Sequence, residues 1–250
     1  MGKITVKHYV EKRVKPYLIL SDNNSKKLMY PVYVQIIHNK ISTHKRSETL
    51  INATLDGFNK YQENGIIDKN EFDTMLCCGY TLEKEMEDIT NCMKIINDRK
   101  ISVTRKRIIK LIDIFSDYIG NCLTFIARTV FNEDGNYDEK YVSFILSFDG
   151  KSNLLTNISL IKEHTKIDLL PFVKKEDYDR WLAVAVIQSC FRNVSFSKFV
   201  HTDYKKILKE KMKSESVGKF EMIVKEIDNM IENFISWHSK ENTIDEKFLP

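Results

Sequence analysis

The hydrophobic residues of this chain change their spacing between about residues 50 and 70. Before this change, apolar and polar residues alternate, most clearly from Pro31 to His38, and this period of two predicts β-strands. After it, apolar residues recur every three or four positions, most regularly from Val217 to His238, which predicts amphipathic helices. We therefore predict an α+β protein in which a small antiparallel sheet is followed by a mostly α-helical bundle.

The same change of period predicts the domains. We expect a β module over residues 1–60 and a helical body over residues 61–250, with a further boundary possible near residue 120. A chain of 250 residues can bury a sizeable core without disulfides. Its 8 glycines and 4 prolines are few for a many-turned β-sandwich, which favours long helices joined by short loops.

Within the helical region the apolar spacing predicts several elements. Their approximate ranges are 68–98 with an interruption at Gly79, 104–115 with Thr104 as its cap, 137–148, 154–161 and 176–192. Ser195 or Ser197 is expected to cap the next helix, which would run to about Lys213. The last helix, which begins near Val217, is expected to pack its apolar stripe against the helix that contains Trp181.

Composition narrows the class of protein. The chain is 42% hydrophobic and 30% charged, which is typical of a globular protein rather than a disordered or membrane-embedded one. We find no apolar run of signal-peptide or membrane-spanning length and therefore expect a cytoplasmic protein that does not use the membrane. The cysteines are odd in number and lack C-x-x-C spacing, so we expect reduced packing residues and no metal or cofactor: Cys77, Cys78, Cys92, Cys122 and Cys190.

Positive charge is concentrated at one end of the chain. Residues 1–60 contain 11 Lys and Arg against 4 Asp and Glu, although the net charge of the whole chain is only +4. A basic end on a near-neutral body is typical of a polyanion-binding module attached to a helical domain. An ordinary solvated basic surface fits the charge alone equally well. The acidic run from Glu83 to Asp88 is interpreted as a solvated helix face.

The clearest strand pair flanks Asn39 and Lys40. If these two residues form a hairpin turn, with Asn39 tolerating the positive φ that the turn needs, the numbers of opposing residues sum to 79. One face of the pair then carries Val32, Val34, Ile36, Ile41 and Thr43. The other face carries Tyr33, Gln35, Ser42, His44 and Arg46, with Ile37 as its one apolar exception.

Three motifs follow one another here: Lys15 to Leu20 before a polar turn, Tyr30-Pro-Val running through the Asn39 turn to Thr43, and Phe58 before Asn59-Lys60. In this order they resemble the arm-type DNA-binding domain at the amino end of tyrosine recombinases, the integrases of phages and conjugative transposons. The resemblance covers residues 15–60 and implies a small three-stranded sheet that docks in the major groove of duplex DNA. The chain departs from the family pattern at Met29, where glycine is common, and after the third strand, where Thr-Gly is common.

On this interpretation the polar face of the hairpin reads DNA. Gln35 can bond adenine and Arg46 can bond guanine in a bidentate manner, while Lys40 and Lys45 are expected to contact phosphates. A basic cluster that opens a later helix is a further phosphate candidate. The full candidate set is Tyr33, Gln35, Lys40, Ser42, His44, Lys45, Arg46, Arg105 and Lys106. Without the resemblance, a solvated sheet face would be the simpler interpretation.

The sequence predicts no catalysis. The reaction of the integrase family requires a His-x-x-Arg pair, and none of the 6 histidines is followed by arginine at that spacing. Common nucleotide-binding, hydrolase and metalloprotease motifs are also absent. We therefore predict a non-catalytic, integrase-like protein that binds duplex DNA, with a protein partner or a homodimer possible through the helical body. A helical interaction protein without a nucleic-acid role and an enzyme of a class that has no short motif remain as alternatives.

Overall fold

The structure, a computed structural model, describes residues 3–20, 26–68, 70–74, 82–133, 154–166, 168, 170–173 and 175–240. The chain divides into two compact units, Met1–Ser116 (unit 1) and Asp117–Pro250 (unit 2). Unit 1 contains the strands together with helices, and the described elements of unit 2 are helical. The predicted α+β class, with an antiparallel sheet at the amino end followed by helices, is confirmed.

Unit 1 is built around one long strand. Its described strands are β1 (Thr5–Val10), β2 (Tyr17–Leu20), β3 (Lys26–His38), β4 (Ile41–Arg46), β5 (Leu50–Ala53) and β6 (Phe72–Thr74). Its described helices are α1 (Leu55–Asn64), α2 (Leu82–Asp98) and α3 (Arg105–Ser116). Strand β3 pairs in antiparallel fashion with β1, β2, β4 and β5 along its length, and β6 pairs with β5. The polar turn predicted after β2 lies outside the described residues.

The hairpin formed by β3 and β4 has the predicted register. Tyr33 lies opposite Arg46, and His38 lies opposite Ile41. The turn residues Asn39 and Lys40 have φ angles of 48° and 66°, the left-handed conformation that a two-residue type I′ turn requires at both positions. Of the residues predicted to line the dry face, Val32, Val34 and Ile36 are 0% exposed and Thr43 is 4% exposed, whereas Ile41 beside the turn is half-buried.

Helices α2 and α3 cover this dry face. Helix α2 packs on β1, and α3 packs on β4. A second part of the core joins the sheet to α1 through Val32, Ala53, Phe58, Phe72 and Leu82. Because the strands bury their apolar side chains against α1, α2 and α3, the compact unit extends to Ser116, whereas the sequence division at residue 60 follows the change of period.

Two local predictions in this region fail for tertiary reasons. A helix that includes Phe72 is wrong, because Phe72 lies in β6 opposite Ala53 and its ring is 5% exposed in the core. The acidic run in α2 is also not uniformly solvated, because Glu85 and Asp88 are each 2% exposed. The predicted interruption at Gly79 and the residues Cys77 and Cys78 lie outside the described part of the chain.

Unit 2 is a helical assembly. Its described helices are α4 (Ile119–Glu133), α5 (Leu154–Thr165), α6 (Lys175–Cys190), α7 (Phe196–Val200), α8 (Tyr204–Lys211) and α9 (Val217–Ser239), with a short 3₁₀ turn at Leu170–Phe172. Helix α6 packs against both α4 and α9 and buries Trp181, which is 1% exposed. The predicted packing of the last helix against the Trp181 helix is therefore confirmed. A helix over 137–148 lies outside the described residues.

The segment after Ser195 differs from its prediction. Ser195 caps α7 by accepting a hydrogen bond from the Lys198 backbone N–H, as expected, but α7 ends at Val200. Asp203 then caps a separate helix, α8, by accepting a hydrogen bond from the Lys206 backbone N–H at 3.3 Å. A second cap splits the predicted helix into two. Of the helices that the structure describes, none is long and apolar enough to cross a membrane.

Candidate nucleic-acid interface

The candidate site is the face of the β1, β3 and β4 sheet that lies opposite α2 and α3, which we call the open face. The register places its side chains in three rows that run across the strands. The middle row is Lys7, Gln35 and His44. The flanking rows are Tyr9, Tyr33 and Arg46 on one side and Thr5, Ile37 and Ser42 on the other. The structure thus brings five of the predicted residues together: Tyr33, Gln35, Ser42, His44 and Arg46.

Hydrogen bonds fix the middle row. The Gln35 side-chain amide donates to the Ser42 hydroxyl at 3.3 Å. The Tyr9 hydroxyl lies 2.9 Å from His44 Nδ1, and the two rings meet edge to face with their centroids 5.4 Å apart. Burial, with Glu11 nearby, raises the pKa of the Tyr9 hydroxyl, which keeps it protonated. Because Nδ1 is held by Tyr9, His44 can offer its other ring nitrogen to a ligand.

The Arg46 row is also ordered by its neighbours. One Arg46 guanidinium nitrogen donates to the Asn52 side-chain carbonyl at 3.4 Å, and the Asn52 amide donates to the Tyr17 hydroxyl at 3.1 Å. Arg46 is exposed, and a guanidinium has five N–H donors, so this contact leaves most of them for a base edge or a phosphate. Lys40, exposed in the hairpin turn, adds a further cation at the end of the face.

Strand β1 supplies two residues that the sequence-based set lacks. Lys7 is exposed beside Gln35, and Tyr9 is half-buried beside Tyr33. The alternation of Lys3, Thr5 and Lys7 with apolar residues does predict a strand. Its place beside β3 depends on pairing between segments about thirty residues apart, which the alternation does not specify.

Lys45 is a correction to the predicted set. It opposes Val34 and therefore shares the covered face, where its side chain is only 12% exposed. Its ammonium group pairs with Glu48 Oε1 at 2.6 Å and with the carboxylate of Asp113 on α3. Burial alone would lower the pKa of Lys45, but hydrogen bonds to these two carboxylates raise it. Lys45 fastens α3 to the sheet and is not presented with the open face.

Arg105 and Lys106 are likewise separate from the open face. Both are exposed in the first turn of α3, where the Thr104 hydroxyl accepts a hydrogen bond from the Arg107 backbone N–H at 3.3 Å, as predicted for a cap. Since α3 packs on the covered side of the sheet, these two cations do not join the rows of the open face.

A buried polar network lies on the covered face of the sheet. His8 Nε2 lies 3.0 Å from Glu85 Oε2, and both side chains are 3% exposed. The Ser47 hydroxyl and the Glu48 backbone N–H each donate to the same carboxylate at 2.7 Å. Burial alone would raise the pKa of Glu85, but these hydrogen bonds hold it below its usual range. The network connects β1, the end of β4 and α2.

Comparisons with protein-family models, curated proteins and solved structures find no match to this chain. The resemblance of residues 15–60 to arm-type domains therefore stays a prediction. Within the described ranges, no three His, Cys, Asp or Glu side chains are grouped so that they could hold a metal ion.

Proposed function

We propose that unit 1 binds duplex DNA through the open face, in a protein that carries out no DNA chemistry itself. The observation that carries this proposal is the middle row, in which Lys7, Gln35 and His44 lie side by side across three strands. The opposite face of the same sheet buries its aliphatic side chains against helices. Hydrogen-bonding groups are thus concentrated on the face that remains accessible.

The chemistry of the open face matches the major groove. The groove is about 12 Å wide and admits β-strands, and there Gln pairs well with adenine and Arg with guanine. Gln35 and Arg46 occupy adjacent rows, and Lys7 and Lys40 supply cations for phosphates at the edges of the face. The resemblance of residues 15–60 to arm-type domains supports the same docking.

Single substitutions on the open face test this proposal. We expect Gln35→Ala or Arg46→Ala to weaken binding to a preferred duplex, selected from a random pool, by about 1–3 kcal/mol each. Lys225→Ala, which removes an exposed cation of unit 2, is the matched control and should leave affinity unchanged. Equal affinities for all four proteins would show that the open face is only solvated surface.

A second candidate function, protein binding through unit 2, is favoured by one feature. Phe125 on α4 and Trp237 on α9 contact each other edge to face with centroids 6.4 Å apart, yet remain 44% and 38% exposed. Exposed aromatic side chains are typical anchors of protein interfaces. If this surface holds a second copy, Trp237→Ala should lower the self-association of the chain in light scattering, whereas the exposed Leu160→Ala should not.

A further inference from the structure

His44 differs from the other histidines of unit 1 because it is exposed on the open face. His8 and His38 are buried on the covered face, at 5% and 3% exposure. Histidine is the side chain that ordinarily gains or loses its proton between pH 5 and 8. His44 is the only histidine in the three rows of the open face, so in that range the charge of these rows changes at one position.

The contact with Tyr9 is compatible with both states of the His44 ring. The Tyr9 hydroxyl lies 2.9 Å from Nδ1, and a hydroxyl can either donate or accept a hydrogen bond. Tyr9 can donate to the bare Nδ1 of a neutral ring, or accept from the N–H of a charged ring. In either arrangement Nε2 is a hydrogen-bond donor. His44 can therefore take up a proton without losing this contact.

Cations surround His44 more than carboxylates do. The three rows contain no carboxylate. Arg46 lies two residues along the same face of β4, and Lys7 lies at the other end of the row that contains His44. The titratable and charged groups of the rows and of their ends are Lys7, Tyr9, Glu11, Arg13, Tyr33, Lys40 and Arg46. Glu11 lies near the Tyr9 hydroxyl, and Glu48, after β4, is paired with Lys45 of the covered face. This excess of cations disfavours a charged His44 until an anion binds.

The row that contains His44 matches the width of the major groove. Adjacent strands lie about 4.8 Å apart, so the backbones that carry Lys7 and His44, on either side of β3, are roughly 10 Å apart. The major groove is about 12 Å wide and is bordered by the two phosphate backbones. When Gln35 in the middle of the row faces the bases, Lys7 and His44 lie toward opposite phosphate backbones.

We propose that His44 binds a backbone phosphate as the charged imidazolium, so that binding of the duplex takes up a proton. The proton comes from solvent and occupies Nδ1, which then donates to the Tyr9 oxygen, while Nε2–H donates to the phosphate. A phosphate oxygen only accepts hydrogen bonds, and a bond from a charged donor is about twice as strong as one from a neutral donor. This inference rests on the proposed binding of DNA by the open face and adds to it a dependence on pH.

The pH dependence of affinity tests the inference with the full chain. The probe is a labelled preferred duplex, selected from a random pool and titrated at about pH 8 and at about pH 6 at constant ionic strength. The wild-type chain should bind about three- to tenfold more tightly at the lower pH. His44→Gln keeps a neutral donor but takes up no proton, so it should bind equally at both. The pKa of Glu85 is held below its usual range, so the buried network stays ionised at both pH values.

His164→Gln is the matched control, because His164 is an exposed histidine of unit 2. It should keep the pH dependence of the wild type. A second measurement identifies the contact. When single phosphates of the duplex are replaced by uncharged methylphosphonates, the pH dependence of the wild type should disappear at the position that His44 contacts.

Three results would overturn the inference and leave the proposed function intact. They are an unchanged pH dependence in His44→Gln, a pH dependence that survives every methylphosphonate, and wild-type binding that Gln35→Ala weakens but pH does not alter. Failure of the wild type to bind any duplex at either pH would overturn the proposed function itself. His44 is exposed, so the variant keeps its core and its thermal unfolding should match that of the wild type.

Discussion

The two compact units stabilise themselves by different means. Unit 1 buries the Glu85 carboxylate beside His8, with both side chains 3% exposed, and hydrogen bonds from two further groups hold the carboxylate there. Unit 2 buries large aromatic side chains, above all Trp181, Phe196 and Phe199, each at most 1% exposed. Directional bonds fix where strands and helices sit, whereas apolar packing contributes mainly area removed from water.

The difference bears on function. In unit 1 the buried network and the Lys45 ion pairs fasten helices to one side of the sheet and leave the other side with its hydrogen-bonding groups uncovered by these helices. In unit 2 the described polar contacts mostly cap helices or join neighbouring ones, as the hydrogen bond from Tyr204 to Asp228 joins α8 to α9. This difference supports our proposal that unit 1 carries the binding function.

Removal of α9 should have the largest effect. Ile227, Met230 and Phe234 are at most 3% exposed, and burial of such side chains is worth many kcal/mol, comparable to the whole stability of a typical domain. In a chain that ends at residue 215, unit 2 should no longer unfold cooperatively when its unfolding is monitored by the fluorescence of Trp181. The amides of β3 in unit 1 should keep their protection from hydrogen exchange. A truncated chain that stays monomeric and cooperatively folded would instead identify α9 as a detachable partner-binding element.

Glu85→Ala should affect unit 1 alone. The variant removes the carboxylate that lies 3.0 Å from His8 Nε2 and accepts hydrogen bonds from the Ser47 hydroxyl and the Glu48 backbone N–H, and a hydrogen bond to a charged group is worth about 1.5–3 kcal/mol. Hydrogen exchange of β1 and β3 should accelerate. Both tryptophans of the chain lie in unit 2, and the unfolding of unit 2 that their fluorescence reports should keep its denaturant midpoint. The exposed neighbour Glu83→Ala is the matched control. Equal protection in both variants would show that the network adds nothing to stability.

Acidification should also destabilise unit 1 before unit 2. The folded chain holds the pKa of Glu85 below the ordinary value of 4.5, so the unfolded state takes up the proton first as pH falls. The stabilisation is complete above about pH 4.5 and is lost as pH falls through the lowered pKa. Glu71, which burial alone would make a weaker acid but Lys27 and Thr54 make a stronger one, adds to this effect. Hydrogen exchange should show unit 1 opening on acidification before unit 2, and less so in Glu85→Gln.

Substitutions on the open face should change stability least. Gln35→Ala and Arg46→Ala remove side chains that carry no core packing, and such surface changes usually stay within about 0.5 kcal/mol. Thermal unfolding of unit 1 should be unchanged while DNA affinity falls. Unfolding of both variants would show that these residues hold the sheet together.

The parts of unit 1 that the sequence predicts correctly are those specified by residues close together in the chain. The β3–β4 register follows from strict alternation and a two-residue turn, both contained within sixteen residues from Pro31 to Arg46. The same alternation places Lys45 with Thr43 on the dry face, but its charge suggests a phosphate contact, and only Asp113 explains why a lysine is tolerated there. Glu85 looks like part of a solvated run because its partner His8 lies 77 residues away. Contacts at such distances leave no periodic signal.

The salt dependence of duplex binding shows whether the open face contacts DNA phosphates. If Lys7 and Lys40 each neutralise a phosphate, the slope of log affinity against log salt should be less steep by about 2 in the Lys7→Ala, Lys40→Ala double variant than in the wild type. Lys225→Ala in unit 2 should leave the slope unchanged. A wild-type slope near zero, or the same slope in all three proteins, would contradict DNA binding by the open face.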